Sequence, residues 1–151
     1  MGKVTETIEI EASPEKVFGF FTSDKILDSW KDWVEVKWTS EKPIGLGSTM
    51  HAVGVGMGEK GGEWNGKVTE FTKDKSMTIF NKGANKKSVS TDQTYYYALE
   101  PTTKGTKVTF TFDYKMPYSI LGELLDAVVG KSRARGIVSK VLERWKKALE
   151  A

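Results

Sequence analysis

His51 is the one imidazole in a sequence of 151 residues that contains no cysteine. Proton transfer near neutral pH therefore falls to this ring, or to a carboxyl or phenol whose acidity burial has moved. A metal centre is not expected, because no second histidine and no thiolate can join His51. Thr49, His51, Val53 and Val55 alternate with Met50, Ala52, Gly54 and Gly56, and neither set is plainly the buried one. The expectation is a surface histidine or a satisfied core one. Glu70 falls on the inward parity of its strand and is a candidate general base if burial raises its pKa. A strand end open to water explains it more simply. Asp92 and Asp113 share an outward parity and are set aside, so no catalytic residue is assigned. The glycines Gly54, Gly56, Gly58, Gly61 and Gly62 precede no helix with a Lys-Ser or Lys-Thr pair, which excludes a phosphate loop.

More is carried by the polar side chains on the inward parity, Asn81, Gln93 and Tyr114, since a buried polar group without a partner costs about 1–3 kcal/mol. Each either holds a ligand's carbonyl or hydroxyl or is satisfied by a neighbour. The aromatics of the same parity, Trp64, Tyr95, Tyr97, Phe110, Phe112 and Tyr114, either line a cavity or fill a core, and close packing of interiors favours the filled core. The last hairpin fixes how they meet. For Tyr95, Tyr97 and Leu99 to share a face with Val108, Phe110, Phe112 and Tyr114 across the Pro101–Gly105 turn, Tyr97 must lie opposite Phe110 and Tyr95 opposite Phe112. Gln93 then faces Tyr114, and the two are able to satisfy each other. On the preceding hairpin Trp64, Val68 and Ile79 share one face with Gly66 and Asn81, while Lys37, Lys67 and Lys82 point the other way.

These positions need a scaffold. Val4–Glu11 alternates as a first strand. Ser13-Pro14-Glu15 opens a helix with a capping hydroxyl, a proline at the first helical position and an acid at the positive end. A second short helix begins at Ser23-Asp24 and buries Ile26, Leu27 and Trp30. From Trp33 to Met116 the period is two, broken by turn signals into about six antiparallel strands. Residues Pro117–Ala151 then read as one long helix whose second apolar stripe is displaced from the first by about a third of a turn. Gly130 and Gly136 flank the break, so a bend, or a curved surface gripping the helix, is expected there. Only this helix is long enough to cover the sheet.

Bulk composition narrows the classes. Lys and Arg total 23 against 20 Asp and Glu, a formal charge of +3, with arginine only at Arg133, Arg135 and Arg144. That is a solvated surface and not a nucleic-acid stripe, so no nucleic-acid partner is expected. No apolar run reaches the ~18 residues of a membrane span and no signal peptide stands at the N-terminus, which predicts a cytoplasmic protein without stable membrane insertion. With no linker or repeat, residues 1–151 are expected to form a single domain.

In this order the elements resemble the START-like (SRPBCC) superfamily, in particular its polyketide cyclase/dehydrase and lipid-transport-like branch. The resemblance rests on Ile8–Phe18 as the opening strand, turn and helix, Trp30 before the second strand, Gly45-Leu46-Gly47-Ser48, Gly105–Thr109 in the last hairpin, and Leu142–Glu150 as the closing helix. It implies an α+β helix-grip fold, β-α-α-β6-α, in which a curved antiparallel sheet of about seven strands wraps a long C-terminal helix. It also implies a cavity between sheet and helix for a small hydrophobic or amphipathic ligand, lipid or polyketide-like, carried or sensed without a cofactor. Its expected lining is the six aromatics above, Val68 and Ile79, the polar Asn81 and Gln93, and Leu125 and Val129 of the helix. The glycine-rich tip at Gly58–Gly62 would lie over the entrance with Met57 as an apolar plug. Arg133 and Arg135 would meet an anionic head group or simply face water. Two alternatives stand beside this reading. One is a cyclase or dehydratase moving a proton through Glu70, His51 or Tyr114. The other is a co-chaperone-like interaction module, its protein partner unknown, using the sheet's back face or the Trp33/Trp38 region.

Overall fold

A computed structural model describes residues 2–55, 60–85, 92–115 and 131–151. The elements run β1 (Gly2–Ile10), α1 (Pro14–Phe21), a 3-10 helix (Asp24–Trp30), β2 (Val34–Trp38), β3 (Thr49–Gly54), β4 (Glu63–Thr72), β5 (Ser76–Gly83), β6 (Asp92–Pro101), β7 (Thr106–Lys115) and α2 (Lys131–Glu150). All seven strands form one antiparallel sheet in the order β1-β7-β6-β5-β4-β3-β2. β1 and β2, joined by only α1 and the 3-10 helix, thus occupy opposite edges. In a flat sheet those edges would lie about 29 Å apart, so the two short helices bridge the open side of a curled sheet. This is the helix-grip fold.

Local chemistry starts each helix where the residues predict. Ser13 Oγ accepts the Lys16 amide at 3.2 Å beside Pro14 at the helix start. Ser23 Oγ accepts the Lys25 amide at 3.2 Å, although the segment after it winds as a 3-10 helix. α2 runs unbroken through Gly136 and buries Ala134, Val138, Val141, Leu142, Trp145 and Leu149. It is tied along β1 by Lys146 Nζ donating to the Glu9 carbonyl at 2.8 Å and by the Glu11 amide donating to Glu150 at 2.8 Å. Residues 116–130, with the predicted start of this helix and the expected bend at Gly130, lie outside the described residues.

The register of the last hairpin is the expected one: Gln93, Tyr95 and Tyr97 pair with Tyr114, Phe112 and Phe110. On β4 the alternation fails after Val68, where a bulge inserts one extra residue between Val68 and Glu70. The bulge inverts the parity beyond it. Glu70, inward by simple alternation, is exposed, as the reading of a position open to water has it, and Phe71 turns onto the core instead. One row of cross-strand pairs crosses all seven strands: Trp38, Met50, Gly66, Asn81, Gln93, Tyr114 and Gly2. Beside it run apolar rows, Val68, Ile79, Tyr95, Phe112 and Val4, then Met77, Tyr97 and Phe110. Asn81, Gln93 and Tyr114 are therefore neighbours in one row of a largely apolar concave face.

Candidate functional site

At the β1 side the interior is packed solid. Trp145 of α2 is fully buried, with ring centres 4.8 Å from Phe21, 5.3 Å from Phe110 and 5.7 Å from Tyr97. Val138 and Val141 fill the next turn with no exposure at all. Beneath Lys131–Glu150 the interior is thus close-packed; the part of the helix with Leu125 and Val129 lies outside the described residues.

The free space lies further across the sheet. Its floor is Val36 and Trp38 of β2, Met50 and Ala52 of β3, Trp64 of β4, Ile79 and Asn81 of β5, and Gln93, Tyr95 and Tyr97 of β6. Its roof is Phe21 of α1 with Ile26, Leu27 and Trp30 of the 3-10 helix, and Val34 at the start of β2 continues the floor. None of the described α2 residues lines it, and the 3-10 helix forms the described roof. The space is narrow, about 30 Å³, room for roughly two waters. Anything larger must part the rings. Trp30 stacks on Tyr95 at 5.4 Å and 24° and leans on Trp33 edge-on at 6.5 Å.

α2 holds this roof from outside. Arg144 donates to the Ser29 carbonyl at 2.8 Å and to the Asp32 carboxylate. Lys140 reaches the same carboxylate at 3.2 Å. Both cations also lie over the Trp33 ring, at 5.4 Å and 5.9 Å from its centre. The Arg144 and Lys140 hydrogen bonds hold the Asp32 carboxyl below the usual carboxylate range.

Inside the cavity the polar atoms are few. Gln93 Oε1 accepts the Tyr95 hydroxyl at 2.8 Å, so this oxygen is engaged by its neighbour on the same strand and not by its cross-strand partner Tyr114. Burial, reinforced by Tyr95, pushes the Tyr97 phenol above the ordinary tyrosine range, which keeps it neutral. Asn81 is 3% exposed, and its Oδ1 is buried with no hydrogen-bond partner among the described residues.

Of the positions the sequence nominates, Trp64, Ile79, Asn81, Gln93, Tyr95 and Tyr97 line this space. Val68 and Phe110 are in the core at 1% and 0% exposure, and Phe112 packs 5.3 Å from Tyr95 without reaching the cavity. Tyr114 is buried against β1, its ring where a Cβ on Gly2 would stand. Leu125, Val129 and Met57 lie outside the described residues. Phe21, Leu27, Trp30, Trp38, Met50 and Ala52 line the cavity without having been nominated. Their signal was present, since Trp38 and Met50 fall in the same cross-strand row as Asn81.

The three proton-transfer candidates do not converge. His51 lies on the outer face, with Nδ1 2.9 Å from Asn65 Oδ1 and Nε2 3.2 Å from Glu63 Oε1. Glu70 is exposed beyond the bulge, and only Tyr114 faces inward. Arg133 and Arg135 are exposed, and Arg135 pairs with Glu6 at 3.2 Å. The Trp33/Trp38 region is no open patch, because Trp38 turns into the cavity and Trp33 lies under Arg144 and Lys140. Among the described residues no group of three His, Cys, Asp or Glu side chains could hold a metal ion, and no helix is long and apolar enough to cross a membrane.

Comparison with known proteins agrees with the geometry. A family model described as polyketide cyclase/dehydrase and lipid transport matches residues 1–150. No protein of curated function matches the chain. Among solved structures, a Chromobacterium violaceum protein superposes with TM-score 0.71 at 12% identity, covering 100% of this chain and 99% of that one. A Thermus thermophilus protein gives TM-score 0.71 at 22% identity, covering 97% and 98%. The Aha1 dimer from Colwellia psychrerythraea gives TM-score 0.62 at 22% identity, covering 99% and 97%. At these identities the structures share the fold alone.

Proposed function

The chain belongs to the polyketide cyclase/dehydrase and lipid-transport family, and from that premise we propose that it is a single-domain carrier or sensor that takes a small hydrophobic or amphipathic molecule beneath the 3-10 helix. The observation that carries this reading is a cavity walled by aromatic rings that holds a buried acceptor, Asn81 Oδ1, without a partner among the described residues, and is roofed by a short helix. Burial of apolar ligand surface supplies affinity at about 25 cal/mol per Å². Opening the site separates the Trp30–Tyr95 stack, at about 0.5–1.5 kcal/mol, and a ligand ring restores that contact.

Ala52 offers the test, because it lines the floor at 8% exposure. In Ala52→Leu the added side chain occupies the free space. A hydrophobic fluorescent dye that quenches the cavity tryptophans in the wild type is expected to lose at least tenfold in affinity in this variant. Unchanged dye binding by a folded Ala52→Leu protein would place the ligand elsewhere.

A further inference from the structure

Resting on the cavity reading above, we propose that Asn81 selects the ligand: the site takes a small flat aromatic or conjugated molecule bearing an O–H or N–H donor, which Asn81 Oδ1 receives. Two observations converge on this atom. Oδ1 is a strong acceptor in a 3% exposed side chain lining the cavity, with no partner among the described residues. The neighbouring amide, Gln93, already accepts the Tyr95 hydroxyl, so Asn81 is the open acceptor of the pair.

The sheet is also shaped to keep the carboxamide there. Gly66 is the cross-strand partner of Asn81 on β4. A Cβ at position 66 would stand 2.2 Å from Asn81 Oδ1 and 2.6 Å from Met50 Cγ. Only glycine leaves the recess in which the amide lies. Gly66 is accordingly a positioning residue, acting through Asn81.

The class of ligand follows from the walls. Trp30, Trp38, Trp64, Tyr95 and Tyr97 present rings, which prefer offset or edge contacts with another ring, and the narrow gap between them admits a flat body most readily. A saturated acyl chain would fill the same space while leaving Oδ1 buried and unsatisfied. A donor on the ligand edge removes that penalty, so the site discriminates by a missing hydrogen bond more sharply than by a missing methylene.

The test compares naphthol, its methyl ether and naphthalene by titration calorimetry on the wild type, Asn81→Leu and Gly66→Ala. The wild type is expected to bind naphthol about tenfold or more tighter than the ether. Asn81→Leu should bind the two within about twofold of each other while still binding naphthalene. Gly66→Ala, which displaces the carboxamide, should lower the naphthol-to-ether ratio without abolishing naphthalene binding. Equal wild-type affinity for naphthol and ether would overturn the role of Asn81 and leave the cavity reading standing. A preference for naphthol surviving in Asn81→Leu would do the same. Failure of all three probes to bind the wild type would remove the cavity reading, and this inference with it.

Discussion

Replacing Asn81 by leucine is expected to make the ligand-free protein more stable. Leucine branches at the same carbon as asparagine, so the substitution keeps the shape and removes the polar atoms. An unpaired buried acceptor costs about 1–3 kcal/mol. Against that gain stands crowding at the recess over Gly66, where Met50 Cγ is the nearest neighbour after the carboxamide itself. Overpacking costs at least about 1 kcal/mol when rotamers must shift. The net expectation is a gain of up to about 2 kcal/mol. For a domain of this size each kcal/mol moves the midpoint by roughly 2–4 °C, so Tm should rise by up to about 8 °C in calorimetry, with the urea midpoint rising in parallel. A fall of several degrees in a folded variant would mean that Oδ1 is satisfied in the native protein, and the argument from an orphaned acceptor would collapse. A stabilised variant that no longer distinguishes naphthol from its ether would show stability given up for recognition.

Other perturbations separate packing from the site. Trp145→Ala should cost about 3–5 kcal/mol, or roughly 6–20 °C, whereas Trp145→Phe should be much milder because the indole Nε1 has no hydrogen-bond partner among the described residues; equal losses in denaturant melts would contradict the close-packed picture. Asp32 has a folded pKa lowered first by its hydrogen bond from Arg144 and then by that from Lys140. Its contribution is therefore fully present above the unfolded value near pH 4 and is lost as pH falls through the lower folded value. Asp32→Asn should accordingly match the wild type in stability only at the acid end, and a gap that persists there would refute the assignment. Arg144→Met should release the roof, seen as stronger acrylamide quenching of tryptophan emission and faster dye exchange. His51→Ala and Glu70→Ala should leave ligand affinity within about twofold; a larger loss would return either residue to the site.

Much of the fold was legible because its signals are local. The Pro101–Gly105 turn and the parity of Tyr95, Tyr97, Phe110 and Phe112 fix one register, and one register orients every side chain on two strands. The bulge after Val68 was not legible, since no glycine or proline marks it and Thr69 suits a regular strand equally well. Around His51 the alternation was ambiguous because Ala52 and Gly54 are small. The answer came from pairing with β2 and β4, which puts Met50 and Ala52 on the concave side. The location of the cavity was the least legible feature. Ile26, Leu27 and Trp30 announce a buried face, but where that face lands depends on the curl that brings β2 round beneath them. Asn81 was visible as an inward polar residue. Its lack of a partner among the described residues goes with Gln93 turning to Tyr95, which only the folded chain decides.

The most direct test of the central claim is a native mass spectrum of protein taken from the cells that make it, before and after extraction with organic solvent. The account predicts one small molecule per chain, lost on extraction, whose return to the stripped protein raises Tm. A bare mass before extraction, together with a stripped protein whose Tm is unmoved by saturating naphthol, naphthalene or fatty acid, would contradict it.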